Sequence, residues 1–271
     1  MRGPPLPLTP YAVSVPWFNI PPRKLTVPVD PTLAVLTYSG LALLSAGLGA
    51  IPVALRQRLP QSWLGWANAV AAGLMLGVAY ILMAAGLPHT PAVGAAGAVL
   101  GIGFLYWTHG VSGTQELDLD RLGDTAPDYG YQLLLVNTVH AAPEGIAIGV
   151  AMTVSPWLGA FTALAIAVHN VPEAAVLAAV LRSRGLTLAQ AAGAATATRV
   201  SHVLFAVTTF AVASAAPALV PWALGVAVGA LLYLVMAELL PHCYRQAGHT
   251  SIALVAILAM GMVVLLAAGA P

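Results

Sequence analysis

Apolar positions along this chain do not recur at spaced intervals; they run on in long, nearly unbroken stretches. Eight such stretches occur, at residues 32–55, 63–87, 92–109, 131–154, 157–181, 187–213, 222–240 and 251–270. Crossing roughly 30 Å of hydrocarbon takes a helix of about 20 residues, and each stretch is near that length. None alternates apolar and polar residues with period two, which excludes the strands of an outer-membrane barrel. The pattern predicts an all-α fold, a polytopic membrane bundle of eight transmembrane helices.

Polar punctuation between the stretches is short and carries turn chemistry. It reads Arg56-Gln57-Arg58-Leu59-Pro60, Pro88-His89-Thr90-Pro91, Ser155-Pro156, Arg182-Ser183-Arg184-Gly185, and Pro217 through Pro221. Links this tight make successive helices antiparallel neighbours. The first 31 residues are different, holding nine of the 21 prolines and no apolar core of the signal-peptide kind. They predict an irregular, extended arm that is not cleaved, leaving 32–271 as the membrane domain.

Composition sharpens this picture. Apolar residues make up 59% and charged residues 7% of the chain, against roughly 25% charged in a soluble domain. A net charge of +1 with no basic cluster excludes nucleic acid as a partner. The single cysteine, Cys243, rules out a disulfide framework and a thiolate metal cluster.

Basic residues are retained on the cytoplasmic side of a membrane. Arg56, Arg58, Arg121, Arg182, Arg184 and Arg245 fall in one set of links, and Arg2, Arg23 and Lys24 on the other face. That bias predicts a protein of the inner cell membrane with both termini extracytoplasmic. The longest link, 110–130, is then cytoplasmic, and it carries Glu116, Asp118, Asp120, Asp124 and Asp128 against Arg121. It reads first as a solvated polar loop, with weak cation collection as the sharper alternative.

Three carboxylates remain inside apolar stretches: Glu144, Glu173 and Glu238. A charge at the bilayer centre costs at least about 2.5–3.5 kcal/mol, so such residues are expected to face protein or a watered path and to serve a function. Two of them belong to a repeated pattern, His140-Ala-Ala-Pro143-Glu144 and His169-Asn170-Val-Pro172-Glu173. In each, His and Glu are four apart and share one helix face. Imidazole nitrogen and carboxylate oxygen together suit Zn²⁺, Fe²⁺ or Mn²⁺, and two antiparallel helices supply two half-sites. Each proline removes an N–H and crowds the carbonyl four residues back, at Val139 and Val168, which points to a pathway between the helices. Plain structural glue is the rival reading. Interhelical polar contacts in membranes average only around 0.6 kcal/mol, too little to account for two matched buried carboxylates.

These residues resemble the Zrt/Irt-like (ZIP) metal transporters, in particular their prokaryotic GufA-like branch. Gly47-Leu-Gly-Ala-Ile-Pro-Val53 is similar to the family's first helix and Ala71-Ala-Gly-Leu-Met-Leu-Gly77 to its second. The two His-x-x-Pro-Glu motifs resemble its fourth and fifth, and Gly229-Ala-Leu-Leu-Tyr233 through Glu238-Leu-Leu-Pro241 its seventh. The resemblance implies eight helices, transport of divalent metal into the cytoplasm with zinc foremost and iron, manganese or cadmium as alternatives, and a binuclear site. By position it implies His140, Glu144, His169 and Glu173 as ligands, Asn170 and Met75 as minor ones, and His202 and Glu238 beside them. Zn²⁺ would be bound as substrate rather than as a cofactor. The partners implied are metal ions and the lipid bilayer, with a homodimer left open.

Departures from the family pattern bear on the site. Ala141 stands where Asn is usual, Ala174 where Gly is usual, and Ala237 where a polar residue is common. In the sixth helix, Thr198, Arg199 and His202 fall on the family's Ser, Gly and Glu. Arg199 then needs a carboxylate, with Glu238 or Glu173 as the expected partner. If it fills the place of a second cation, one metal is bound where relatives hold two, and a transport-impaired metal receptor or regulator becomes the alternative function. An intramembrane zinc enzyme is disfavoured because no His-Glu-x-x-His occurs. His89, His242 and His249 read as solvated link residues, and His109 as closing the third span at the interface.

Overall fold

The computed structural model describes residues 30–56, 60–86, 90–112 and 127–268, together with a short antiparallel backbone pair in the arm, Ser14–Val15 with Phe18–Asn19. The rest of the proline-rich arm, residues 113–126 of the acidic link, and His89 lie outside the described residues.

Eight helical spans long and apolar enough to cross a membrane are present: Pro31–Leu55, Gln61–Ala85, Pro91–Val111, Leu134–Val154, Pro156–Ser183, Leu188–Ala215, Pro217–Ala247 and His249–Ala268. They match the eight expected stretches in number and order. Their ends are set by capping chemistry legible in the sequence. Asp30 accepts from the Thr32 N–H at 2.7 Å ahead of Pro31, and Ser155 accepts from the Leu158 N–H at 3.1 Å ahead of Pro156. Thr187 and Gln190 form a capping box at the start of the sixth span. The fifth span ends in a Schellman turn: Gly185, at φ +90°, donates to the Arg182 carbonyl and Leu186 to that of Leu181.

Three spans are irregular where it matters. The first passes through a 3-10 segment, Ala46–Gly49. The sixth breaks at Thr198-Arg199 between Leu188–Ala197 and Val200–Ala215, and Arg199 sits at φ −90°, ψ 1°. The seventh carries a π-turn over Leu234–Leu239, directly before Pro241. Pro241 has no N–H to offer the Ala237 carbonyl and its ring crowds that oxygen, so the turn widens ahead of it. The seventh span also runs longer than the expected 222–240, because Pro217 and Pro221 fit first turns and the helix continues past Pro241. Pro143 and Pro172, by contrast, lie within unbroken helices, Pro127–Val154 and Pro156–Ser183.

Packing sorts the spans into two sets. The first, fourth, fifth and sixth pack on one another; in the other set the seventh packs on the second, third and eighth and the eighth on the second, and the second on the fifth and the fourth on the third and seventh join the sets. Glycines let backbones meet along these contacts. A Cβ on Gly229 would lie 2.1 Å from the Ala98 carbonyl oxygen, one on Gly101 2.2 Å from that of Val226, and one on Gly145 2.5 Å from that of His202. Spacing by four, as in Gly97/Gly101 and Gly225/Gly229, is the small-residue device by which membrane helices approach closely without a hydrophobic driving force. Large apolar side chains such as Leu254, Ile257, Leu258 and Leu265 remain exposed on the outside, as a lipid-facing surface requires.

Candidate metal centre

The intramembrane polar residues gather into two groups rather than one. The first lies within the set formed by the fourth, fifth and sixth spans. Glu144, His169, Asn170 and His202 are each fully buried and Arg199 nearly so. Oε2 of Glu144 is shared by three neighbours: it contacts Nε2 of His202, lies 3.4 Å from Nε2 of His169, and lies 3.6 Å from Nη1 of Arg199. The same guanidinium reaches Glu173 through Nη2 at 2.6 Å. Asn170 donates to the Ala42 carbonyl at 2.7 Å, tying the fifth span to the first. Its Oδ1 is buried with no hydrogen-bond partner among the described residues, as is Oε1 of Glu144.

Local chain geometry delivers Arg199 to this point. At the break in the sixth span the Arg199 N–H turns back to the Thr196 carbonyl and the His202 N–H to that of Arg199, tight i to i−3 closures. Ser201 donates to the Thr138 carbonyl at 2.8 Å, pinning the break against the fourth span. Arg199 therefore pairs with Glu173, one of its two expected partners, and the other, Glu238, lies elsewhere.

The second group joins the third, fourth and seventh spans. Nε2 of His109 lies 2.8 Å from Oε1 of Glu238, Nε2 of His140 lies 3.1 Å from Oε2, and the two imidazole nitrogens are 3.3 Å apart. His109 is buried, three residues from the end of its helix. The structure thus divides the expected quartet: Glu144, His169 and Glu173 converge, while His140, one turn from Glu144, joins His109 and Glu238. In both groups, His109/His140/Glu238 and Glu144/His169/Glu173, one ligand atom from each residue lies within 4.8 Å of the others, close enough for a single ion. Met75 is buried in the apolar core among Leu74, Val78 and Ala79. His242 lies within the last helical segment of the seventh span, where its Nδ1 meets Nη2 of Arg245 at 2.7 Å, and His249 opens the eighth span, stacked on Tyr244.

The signal that points to His109 is present in the sequence. Gly97, Gly101, Leu105 and His109 are spaced by four, so they form one stripe, and the two glycines abut the seventh span. On that seventh span Gly225, Gly229 and Tyr233 form the matching stripe. A regular helix would continue it at Ala237; the extra residue of the π-turn puts Glu238 there instead.

Eight apolar helices around buried clusters of imidazole and carboxylate define a polytopic membrane protein suited to handling cations. Residues 114–269 match the family described as ZIP Zinc transporter. Over 226 residues the chain is 31% identical to Zinc transporter GufA of Myxococcus xanthus, covering 78% of this chain and 89% of that protein. It is also 30% identical over 226 residues to the Arabidopsis thaliana protein named "Putative zinc transporter", covering 82% of this chain but 36% of that longer one. The chain belongs to the ZIP family and is GufA-like.

Proposed function

We propose that this protein carries a divalent transition metal, zinc foremost, across the inner membrane into the cytoplasm by way of the two intramembrane groups. The observation that carries the reading is the convergence of buried imidazoles and carboxylates inside a membrane-spanning bundle of a ZIP protein. His140, Glu144, His169, Asn170, Glu173, His202 and Glu238 offer nitrogen and oxygen ligands that suit zinc and also accept iron, manganese or cadmium. Met75 is proposed only as a soft minor ligand. The names of both relatives, each called a zinc transporter, support zinc first. The basic residues of the links support a cytoplasmic 110–130 link and extracytoplasmic termini. The role is transport rather than catalysis.

A second reading is favoured by one contact, Arg199 to Glu173 at 2.6 Å. A fixed guanidinium on a pathway carboxylate suits a metal receptor whose transport is slowed or lost. Uptake of labelled zinc, iron, manganese and cadmium into proteoliposomes, with and without a proton gradient, decides between the two. Zinc accumulation well above that in empty liposomes is expected; zinc binding without uptake of any of the four would establish the receptor.

A further inference from the structure

The two groups are not equivalent, because one already contains a cation. Arg199 is bound to Glu173 at 2.6 Å and approaches Glu144 at 3.6 Å, so the pair of carboxylates has a permanent positive partner built into the chain. Glu238 is paired with two imidazoles and, among the described residues, with no lysine or arginine. We infer that the divalent ion this chain holds most tightly is bound by His109, His140 and Glu238, at the seam between the two sets of helices, while Arg199 serves the Glu144–Glu173 group in place of a metal.

Geometry supports this assignment. With metal–nitrogen and metal–oxygen bonds of about 2.0–2.1 Å, adjacent ligand atoms of a tetrahedral zinc site are roughly 3.3 Å apart. Nε2 of His109 and Nε2 of His140 are 3.3 Å apart, and each meets a different oxygen of Glu238, at 2.8 and 3.1 Å, spacings close to those within a zinc ligand shell. The two imidazoles present the same ring nitrogen to each other and to one carboxylate. A cation between them would take a lone pair from each of the three residues at once. Each ligand arrives by a separate structural device: the four-residue stripe of the third span for His109, the first His-x-x-Pro-Glu motif for His140, and the π-turn of the seventh span for Glu238.

This inference rests on the proposal that the chain handles divalent metal, and its test separates the two. Purified full-length protein is dialysed against zinc, and bound metal is measured by elemental analysis. The unaltered chain is expected to bind one zinc, and both His109→Gln and Glu238→Gln to bind it at least ~100-fold more weakly. In addition, His109→Cys in a Cys243→Ser background, purified as a monodisperse protein and loaded with cobalt(II), is expected to show a thiolate-to-cobalt charge-transfer band that the unaltered chain lacks, a readout of direct ligation. Zinc binding undiminished in His109→Gln, or cobalt bound to His109→Cys without that band, overturns the assignment. Absence of zinc binding by the unaltered chain overturns the transport proposal along with it.

Discussion

Arg199 reaches across from the break in the sixth span to place its Nη2 2.6 Å from Oε2 of Glu173 on the fifth. Both lie among buried groups, and a charge pair in such a place behaves asymmetrically. Forming it repays little beyond the cost of dehydrating both partners, but removing one partner leaves the other stranded, at a cost of about 3–5 kcal/mol. Arg199→Ala should therefore lower the thermal midpoint of the detergent-solubilised protein markedly. Arg199→Ala with Glu173→Gln should recover much of the loss. Melting curves of the two variants check this, and equal destabilisation of both would show that the guanidinium does not depend on Glu173.

On the proposed reading the same guanidinium limits how many metals the chain can hold. A divalent ion 4 Å from Arg199 would be repelled by about 8 kcal/mol even at an effective dielectric of 20. Replacing Arg199 by Gly and His202 by Glu together removes that charge and restores a carboxylate facing Glu144. Bound zinc should then rise from one to two per chain by elemental analysis. Two tightly bound metals in the unaltered protein would refute the idea that Arg199 stands in for an ion.

Orientation can be tested apart from the site. A cysteine placed in the 110–130 link, in a Cys243→Ser background, should resist an impermeant thiol reagent applied to whole cells and react once the membrane is opened. Labelling of intact cells would invert the topology.

Close packing of the third and seventh spans supplies a stability prediction. Gly229→Ala places a methyl group 2.1 Å from the backbone oxygen of Ala98, so the helices must part. Overpacking of this kind costs typically 1–3 kcal/mol. The expected outcome is a lower thermal midpoint and poorer yield of monodisperse protein, whereas Gly94→Ala, where a Cβ meets nothing within 4 Å, should be neutral.

The helical spans were legible because their information is local: apolar runs of the right length, with Asp30, Ser155, Thr187 and Gly185 marking their ends. The paired motifs were legible because two residues four apart on a helix must share a face. What the sequence concealed was which faces meet. His140 and Glu144 share a face of the fourth span, yet His140 falls to the third and seventh spans and Glu144 to the fifth and sixth. A one-residue phase change decides the position of Glu238, and it arises from Pro241, three residues further on. His109 lies near the end of an apolar run, a place that by itself says nothing of burial, while its stripe of glycines points inward.

The backbone contact between the third and seventh spans has one more consequence. With Gly97 against Trp222, Gly101 against Val226, and Gly225 and Gly229 against Gly94 and Ala98, the two backbones touch along that line and leave no room for a side chain between them. The third and seventh spans are thereby locked to each other along that line, and His109 and Glu238, which they carry, are held as a pair.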